Sequence, residues 1–337
     1  MIEYAQMILV WLKFIICAIV IFFAGSRLTK YGIAIAEKTG LCEVWIGIVL
    51  LAMVTSLPEL ANGISAVAVA GVPDLAVGDI LGACMVNMFT LALLDLIFWA
   101  RGRPSIFIAA KESNVLSARY GVKLLVFAAF ALALGRYLFD FPIFGISIYS
   151  FIILAIYLLA QKRLFLHSKE TIKEEVQYYK HISGARVYLF FFVSAVIVIA
   201  AGSWLPFIGN EIVSVMGWGQ TFVAVLFLGL ATALPEMTVT ISALRMGAIG
   251  MGIGNLVGSN IFNVAIIFIA DIFYQPGSLL SDVSPNMIYA ALSGALLMGM
   301  AYFALKKRIA NRALPLLLVL LYLFSLFFLF HAGILLS

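Results

Sequence analysis

Charge is scarce in this chain. Asp, Glu, Lys and Arg make up 11% of its 337 residues and apolar residues 64%, against about 25% and 45–50% in soluble domains. A soluble core cannot hide that much hydrocarbon, so lipid must solvate most of it. Histidine and cysteine are each limited to three residues. Cys17, Cys42 and Cys84 have no metal-type spacing, so neither a disulfide nor a thiolate site is expected. HExxH, GxSxG and Walker motifs are all missing, which gives no support to a metalloprotease, an esterase or an ATP-driven pump. Ala76-Val-Gly-Asp79 lacks the first glycine of the GxGD signature of intramembrane aspartyl proteases. The expectation is a protein that is not an enzyme and needs no cofactor.

What is abundant is hydrophobic sequence in runs of about 20 residues, the length that crosses a bilayer. Hydropathy and Gly/Pro punctuation mark ten spans, near 7–25, 44–70, 75–99, 122–139, 143–161, 187–205, 221–245, 251–273, 287–305 and 313–330. The first carries Lys13, has no basic residues before it and shows no clear cleavage site, so it is read as a span rather than a signal peptide. Of the 21 Lys and Arg residues, 19 fall in or beside the odd-to-even connections, leaving Arg136 opposite and Lys13 inside the first span. Basic residues favour the cytoplasmic side, which puts both termini outside. The net charge of +5 is therefore a topology signal, and no nucleic-acid partner is expected.

The chain also repeats itself. TSLPEL at 55–60 returns as TALPEM at 232–237, a shift of 177, and Ile64-Ser-Ala66 returns at Ile241-Ser-Ala243. With the shift at 176, Gly78, Gly82, Asn87 and Asp95 match Gly254, Gly258, Asn263 and Asp271. Chance likeness of apolar runs explains shared Leu and Ala, but not Thr, Pro, Glu, Gly, Asn and Asp in the same order. Five spans per repeat is an odd number, so the second repeat enters the membrane from the opposite side. Such inverted repeats, with broken helices meeting at the midplane, are a design of secondary transporters. The expected fold is an all-α membrane protein of about ten helices in two inverted five-helix repeats, with helices 2 and 7 broken at the midplane. Its parts are 1–161, a cytoplasmic connector 162–186, and 187–337.

The broken helices carry the chemistry. Pro58 and Pro235 donate no N–H and disfavour a regular helix before them, freeing carbonyls in mid-span. At that depth, freed carbonyls must face protein, water or a ligand. Thr55 and Thr232 add hydroxyls at the breaks, and one residue after each proline stands a glutamate, Glu59 or Glu236. A charge at a helix centre costs about 2.5–3.5 kcal/mol on insertion scales, and two carboxylates about 5 Å apart repel by roughly 3 kcal/mol at an effective dielectric near 20. A bound Ca²⁺, two Na⁺ or two protons would each cancel that charge, which is a physical basis for exchange rather than leak. Carboxylates, threonines and carbonyls can supply the roughly 6–8 hard oxygens Ca²⁺ takes. Asn87 and Asn263 offer amide oxygens nearby, and Ser259 lies four residues before Asn263 on the same helical face. The glycine pairs read as close-packing positions. Asp79, Asp95 and Asp271, near span ends, read as supporting or snorkelling residues.

At these two motifs, within 50–87 and 227–263, the sequence resembles the Ca²⁺:cation antiporter superfamily, particularly prokaryotic Na⁺/Ca²⁺ exchangers. The resemblance implies that Glu59 and Glu236 share the Ca²⁺ ion, with Thr55 and Thr232 alongside and backbone oxygens at Ala52 and Gly229. It also implies that Ser56, Ser259, Asn87 and Asn263 fall where relatives bind or flank Na⁺. Three positions depart from the pattern. Ala233 replaces the serine of the second TSLPE, Ala83-Cys84 replaces Ser-Asn in the first GSN, and Asn263 stands where some relatives have Asp. The resulting expectation is a Ca²⁺/Na⁺ antiporter working by alternating access in a prokaryotic inner membrane, with lipid around it and a monomer sufficient. A Ca²⁺/H⁺ (or other divalent cation/H⁺) antiporter and a Ca²⁺ channel are the alternatives.

Overall fold

The computed structural model describes residues 2–170, 182–216 and 232–335. The long elements are α1 (Ile2–Thr39), α2 (Glu43–Ala68, interrupted), α3 (Pro73–Ala100), α4 (Glu112–Tyr137) and α5 (Ile148–Glu170). They continue as α6 (Gly184–Met216), α7 (Leu234–Arg245), α8 (Ile249–Phe273), α9 (Asn286–Lys307) and α10 (Ala313–Leu335). Eight of these helices are long and apolar enough to cross a membrane, and the described part of α10 is a shorter apolar helix. The segment expected as the first half of the seventh span lies outside the described residues. The other regular pieces are small: a hairpin pairing Pro142–Ile143 with Ile146–Ser147, a 3₁₀ turn at Ile106–Ala109 and a one-turn helix at Leu279–Asp282.

Several helices differ from their sequence boundaries: α5 runs 148–170 rather than 143–161 and α6 runs 184–216 rather than 187–205, and for α1 and α4 the physical reason is visible. Nothing breaks α1 before Gly40, whose φ of +67° ends it, so the helix runs 38 residues and about 57 Å. Arg27, Lys30 and Lys38, expected in the connection between the first two spans, are therefore helical. The fourth helix begins at Glu112 rather than near 122, because its polar first turn is fastened from both sides. The Asn114 side chain accepts the Lys111 N–H at 3.0 Å and donates to the Gly250 carbonyl at 2.8 Å.

Burial separates an inner from an outer layer. In α3 and α8, 72% of the most apolar stretch is buried, against 22% in α1. The inner pair packs together and gathers α2, α4, α7 and α9 around it, while α1 lies along α6. Large apolar side chains point outward, with Phe23, Phe192 and Phe324 each more than 60% exposed. That surface suits lipid, not water. Lys13 of α1 is paired at 2.6 Å with Glu211, which lies in α6 beyond its apolar span, so the cation expected inside the first span meets a carboxylate.

Asp95 and Asp271 occupy matching places in the repeat, and both are buried rather than snorkelling. Asp95 accepts the Ser105 hydroxyl at 2.8 Å and the Ile106 N–H at 2.5 Å. Asp271 accepts the Ser147 and Leu279 N–H groups at 2.9 and 2.7 Å and the Ser150 hydroxyl at 2.6 Å. Each aspartate fastens the loops beside the end of an inner helix and stands apart from the central oxygens.

Candidate cation-binding site

The irregular stretch of α2 positions the first set of candidate residues. Its chain runs through a helical turn at Glu43–Trp45, a π-helical stretch at Ile46–Leu51 and a turn at Ala52–Thr55. Ser56, with φ −94° and ψ 7°, interrupts the helix before it resumes at Leu57–Ala68. The π-helical stretch was not legible in the sequence; such local widening is frequent at functional sites. It also lies unusually close to α8. A Cβ added at Gly254 would come within 2.9 Å of the Val44 carbonyl, and one at Gly258 would meet the Ile48 carbonyl outright. The second glycine pair is thus a close-packing device, as expected. Around Gly82 of the first pair, none of the described residues comes within 4 Å of such a Cβ.

The α7 helix begins in the same manner, with Ala233 in a turn at φ −78° and ψ −2° and Pro235 in the first helical turn. The two prolines meet against one residue of α6. A Cβ on buried Gly202 would stand 2.7 Å from Cγ of Pro58 and 3.4 Å from Cγ of Pro235. Motifs 177 residues apart are therefore side by side, with α6 laid across both.

All the described candidate residues are buried: Ala52, Thr55, Thr232, Ser56, Ser259 and Asn263 are fully covered, and Glu59, Glu236 and Asn87 are at most 1% exposed. Gly229 lies outside the described residues. Ser56 donates to Oε1 of Glu236 at 3.1 Å. The Thr55 hydroxyl lies 3.3 Å from the Ala52 carbonyl, as donor, and 3.4 Å from the Ser259 hydroxyl. The hydroxyls of Thr55 and Ser259 also face the Glu236 carboxylate. Glu59 lies near the carboxylates of Glu236 and Asp79, yet among the described residues neither of its oxygens has a hydrogen-bond partner, and Oε2 of Glu236 has none either. Among the described residues, no three His, Cys, Asp or Glu side chains gather as a metal cluster. The donor set is two carboxylates and neutral hydroxyl, amide and carbonyl oxygens, which suits a hard cation.

Three participants escaped the sequence reading. Asn260 accepts from the Asn87 amide at 2.9 Å and donates to the Cys84 carbonyl at 3.0 Å. The Cys84 thiol points back at the Asn260 carbonyl at 3.8 Å. Cys84 and Asn260 are equivalent in the repeat, so equivalents touch where α3 crosses α8. Asn255 donates to the Glu236 carbonyl and to the Thr240 hydroxyl, both at 3.2 Å. Its equivalent Asp79 instead places a carboxylate near Glu59. The signal was in the register itself, since carrying every polar residue across the 176-residue shift pairs 84 with 260 and 79 with 255.

The family model described as sodium/calcium exchanger protein matches residues 9–165 and 186–331, nearly the whole chain. The chain belongs to the sodium/calcium exchanger family. This exchanger is 24% identical over 280 residues to the inner membrane protein YrbG of Escherichia coli K12, covering 81% of this chain and 82% of that one. A shorter stretch of 60 residues is 37% identical to the sodium/calcium exchanger MaX1 of Methanosarcina acetivorans, 18% of this chain and 17% of that one. Its fold is similar to that of the sodium-calcium exchanger NCX_Mj soaked with 2.5 mM Na⁺ and 10 mM Sr²⁺, with a TM-score of 0.73 at 18% identity over 95% of this chain and 98% of that one. The same protein soaked without Na⁺ and Ca²⁺ gives a TM-score of 0.70. Membership makes this chain a multi-pass membrane ion exchanger, not an enzyme, and places Ca²⁺ exchange against another cation as its activity.

Proposed function

We propose that this exchanger moves Ca²⁺ across the membrane against Na⁺, both ions using the oxygens gathered at the two proline breaks. The observation that carries the reading is the set of three buried carboxylate oxygens, two on Glu59 and one on Glu236, that meet no hydrogen-bond donor among the described residues. A buried charge is costly unless it is paired, and a cation between the two glutamates supplies the pairing. Ca²⁺ would be held by Glu59 and Glu236, with Thr55, Thr232 and the carbonyls of Ala52 and Gly229 completing its shell. Na⁺ needs neutral oxygens as well as charge, and Ser56, Ser259, Asn87 and Asn263 offer them beside the same glutamates.

Alternating access follows if the halves 1–161 and 187–337 rock about this shared site, with the connector 162–186 on the cytoplasmic side. The basic asymmetry puts both termini outside, the relative's name suggests a prokaryotic inner membrane, and one chain carries both glutamates, so a monomer in lipid suffices. The test is ⁴⁵Ca²⁺ uptake into proteoliposomes with outward Na⁺ and H⁺ gradients imposed separately. The reading expects uptake with Na⁺. Uptake driven only by the pH gradient would make the protein a Ca²⁺/H⁺ antiporter.

A further inference from the structure

The repeat builds the same junction twice, once at each end of the inner helices. At one end the turn between α2 and α3 meets the loop between α8 and α9. At the other, the side that basic residues mark as cytoplasmic, the turn between α7 and α8 meets the loop between α3 and α4. Gly71 and Gly247, at φ +65° and +81°, sit in the two matching turns. The first junction is closed by the chain itself: Asp74, in the opening turn of α3, accepts the Ser284 N–H at 2.6 Å. Across the 176-residue shift Asp74 matches Gly250, so the second junction has no such carboxylate. It holds a cavity of about 320 Å³ instead, lined by Arg103 from the α3–α4 loop and Arg245 from the end of α7.

Both arginines are exposed, and the two ion pairs among the described residues involve neither. Each guanidinium stands over an aromatic ring, Arg103 at 5.5 Å from the centre of Phe98 and Arg245 at 5.9 Å from that of Phe22. Residues 98–110, 244–250 and 306–312 include no acid, and the last stretch adds Lys306, Lys307, Arg308 and Arg312. It adjoins the cavity where the Ser105 hydroxyl lies 3.3 Å from the Ile309 carbonyl. That hydroxyl also faces buried Asp95 at 2.8 Å, so the arginines are the donors left for an anion. Guanidinium forks match phosphate oxygens, and basic pockets at cytoplasmic helix ends suit anionic headgroups. The remaining walls, from Phe98, Ile108, Leu244 and Ile249, are apolar. A free phosphate gains nothing from them, whereas a lipid can lay hydrocarbon there. We propose that this cavity is a phosphate site for an anionic phospholipid, whose headgroup Arg103 and Arg245 grip from opposite repeats. The bound phosphate joins the cytoplasmic junction as Asp74 joins the other. This goes beyond the exchange reading and is independent of the coupling ion.

The test is the thermal midpoint of the purified full-length chain in neutral detergent, titrated separately with phosphatidylglycerol, phosphatidylcholine and inorganic phosphate. Phosphatidylglycerol should raise the wild-type midpoint by binding the folded state, and phosphatidylcholine should not. Arg103→Gln/Arg245→Gln should weaken the phosphatidylglycerol response by roughly ten-fold or more in lipid concentration. Lys306→Gln/Lys307→Gln removes as much charge beside the cavity and should keep the full response. If the double arginine variant fails to fold, Arg245→Gln takes its place, with native mass spectrometry showing less phosphatidylglycerol retained than by the wild type. No rise with phosphatidylglycerol in the wild type, or equal responses in the arginine and lysine variants, would overturn the site. A rise given by inorganic phosphate and not by phosphatidylglycerol would overturn the lipid as its ligand and leave a soluble anion.

Discussion

A carboxylate buried without a donor is costly in a membrane interior, and both oxygens of Glu59 meet no donor among the described residues. The residues around it divide by what they can lend. Thr55 contacts both the Ala52 carbonyl and Ser259, so Thr55→Val removes an oxygen at almost constant volume. If the Thr55 hydroxyl serves Na⁺ as well as Ca²⁺, Na⁺ half-saturation in proteoliposome exchange should rise by roughly ten-fold; an unaltered Na⁺ dependence would leave Thr55 serving Ca²⁺ alone. Asp79→Asn copies Asn255 into the first half. It should weaken apparent Ca²⁺ affinity several-fold while exchange continues, since the charge acts on Glu59 across a distance. Equal Ca²⁺ affinity in that variant would make Asp79 purely structural. Motif glutamates, threonines and Ser259 were legible because each is a polar group where the bilayer tolerates few. Asn260 was not, because its role depends on which residue of α3 it crosses, a fact of tertiary packing that spacing within one helix does not contain.

Glycine decides how closely the elements around the site approach. At Gly202 a methyl group would collide with Pro58 and crowd Pro235, so Gly202→Ala should force α6 away from both prolines. Overpacking of this kind costs about 1–3 kcal/mol. A lowered thermal midpoint in detergent, together with slower Ca²⁺ exchange, is the expected pair of results, and a wild-type value of both would show that α6 has room to move. Gly258→Ala should do the same to the contact between α8 and the π-helical stretch of α2, where the obstacle is the Ile48 backbone. The apolar runs and prolines made the helices visible in sequence, but their ends were less so. The starts of α4 and the finish of α1 depend on Asn114 and Gly40, single residues whose effect appears only when a partner or a positive φ is known.

The molecule as a whole is an inner layer of α3 and α8 wrapped by its neighbours, with α1 and α6 laid together outside. The all-helical membrane class was legible from composition, because nothing but a helix or a closed barrel satisfies its own backbone in lipid. Orientation is a separate matter, read from charge alone. Single cysteines near Lys162 should react from the cytoplasm and one near Arg136 from outside, in a background lacking Cys17, Cys42 and Cys84; the reverse pattern would invert the topology. The central claim is that one glutamate from each repeat forms a single transport site. Glu59→Gln and Glu236→Gln keep shape and remove one charge each, so Na⁺-driven ⁴⁵Ca²⁺ uptake should be abolished in both while each protein remains folded and monodisperse. Uptake near the wild-type rate in either variant would contradict the shared site.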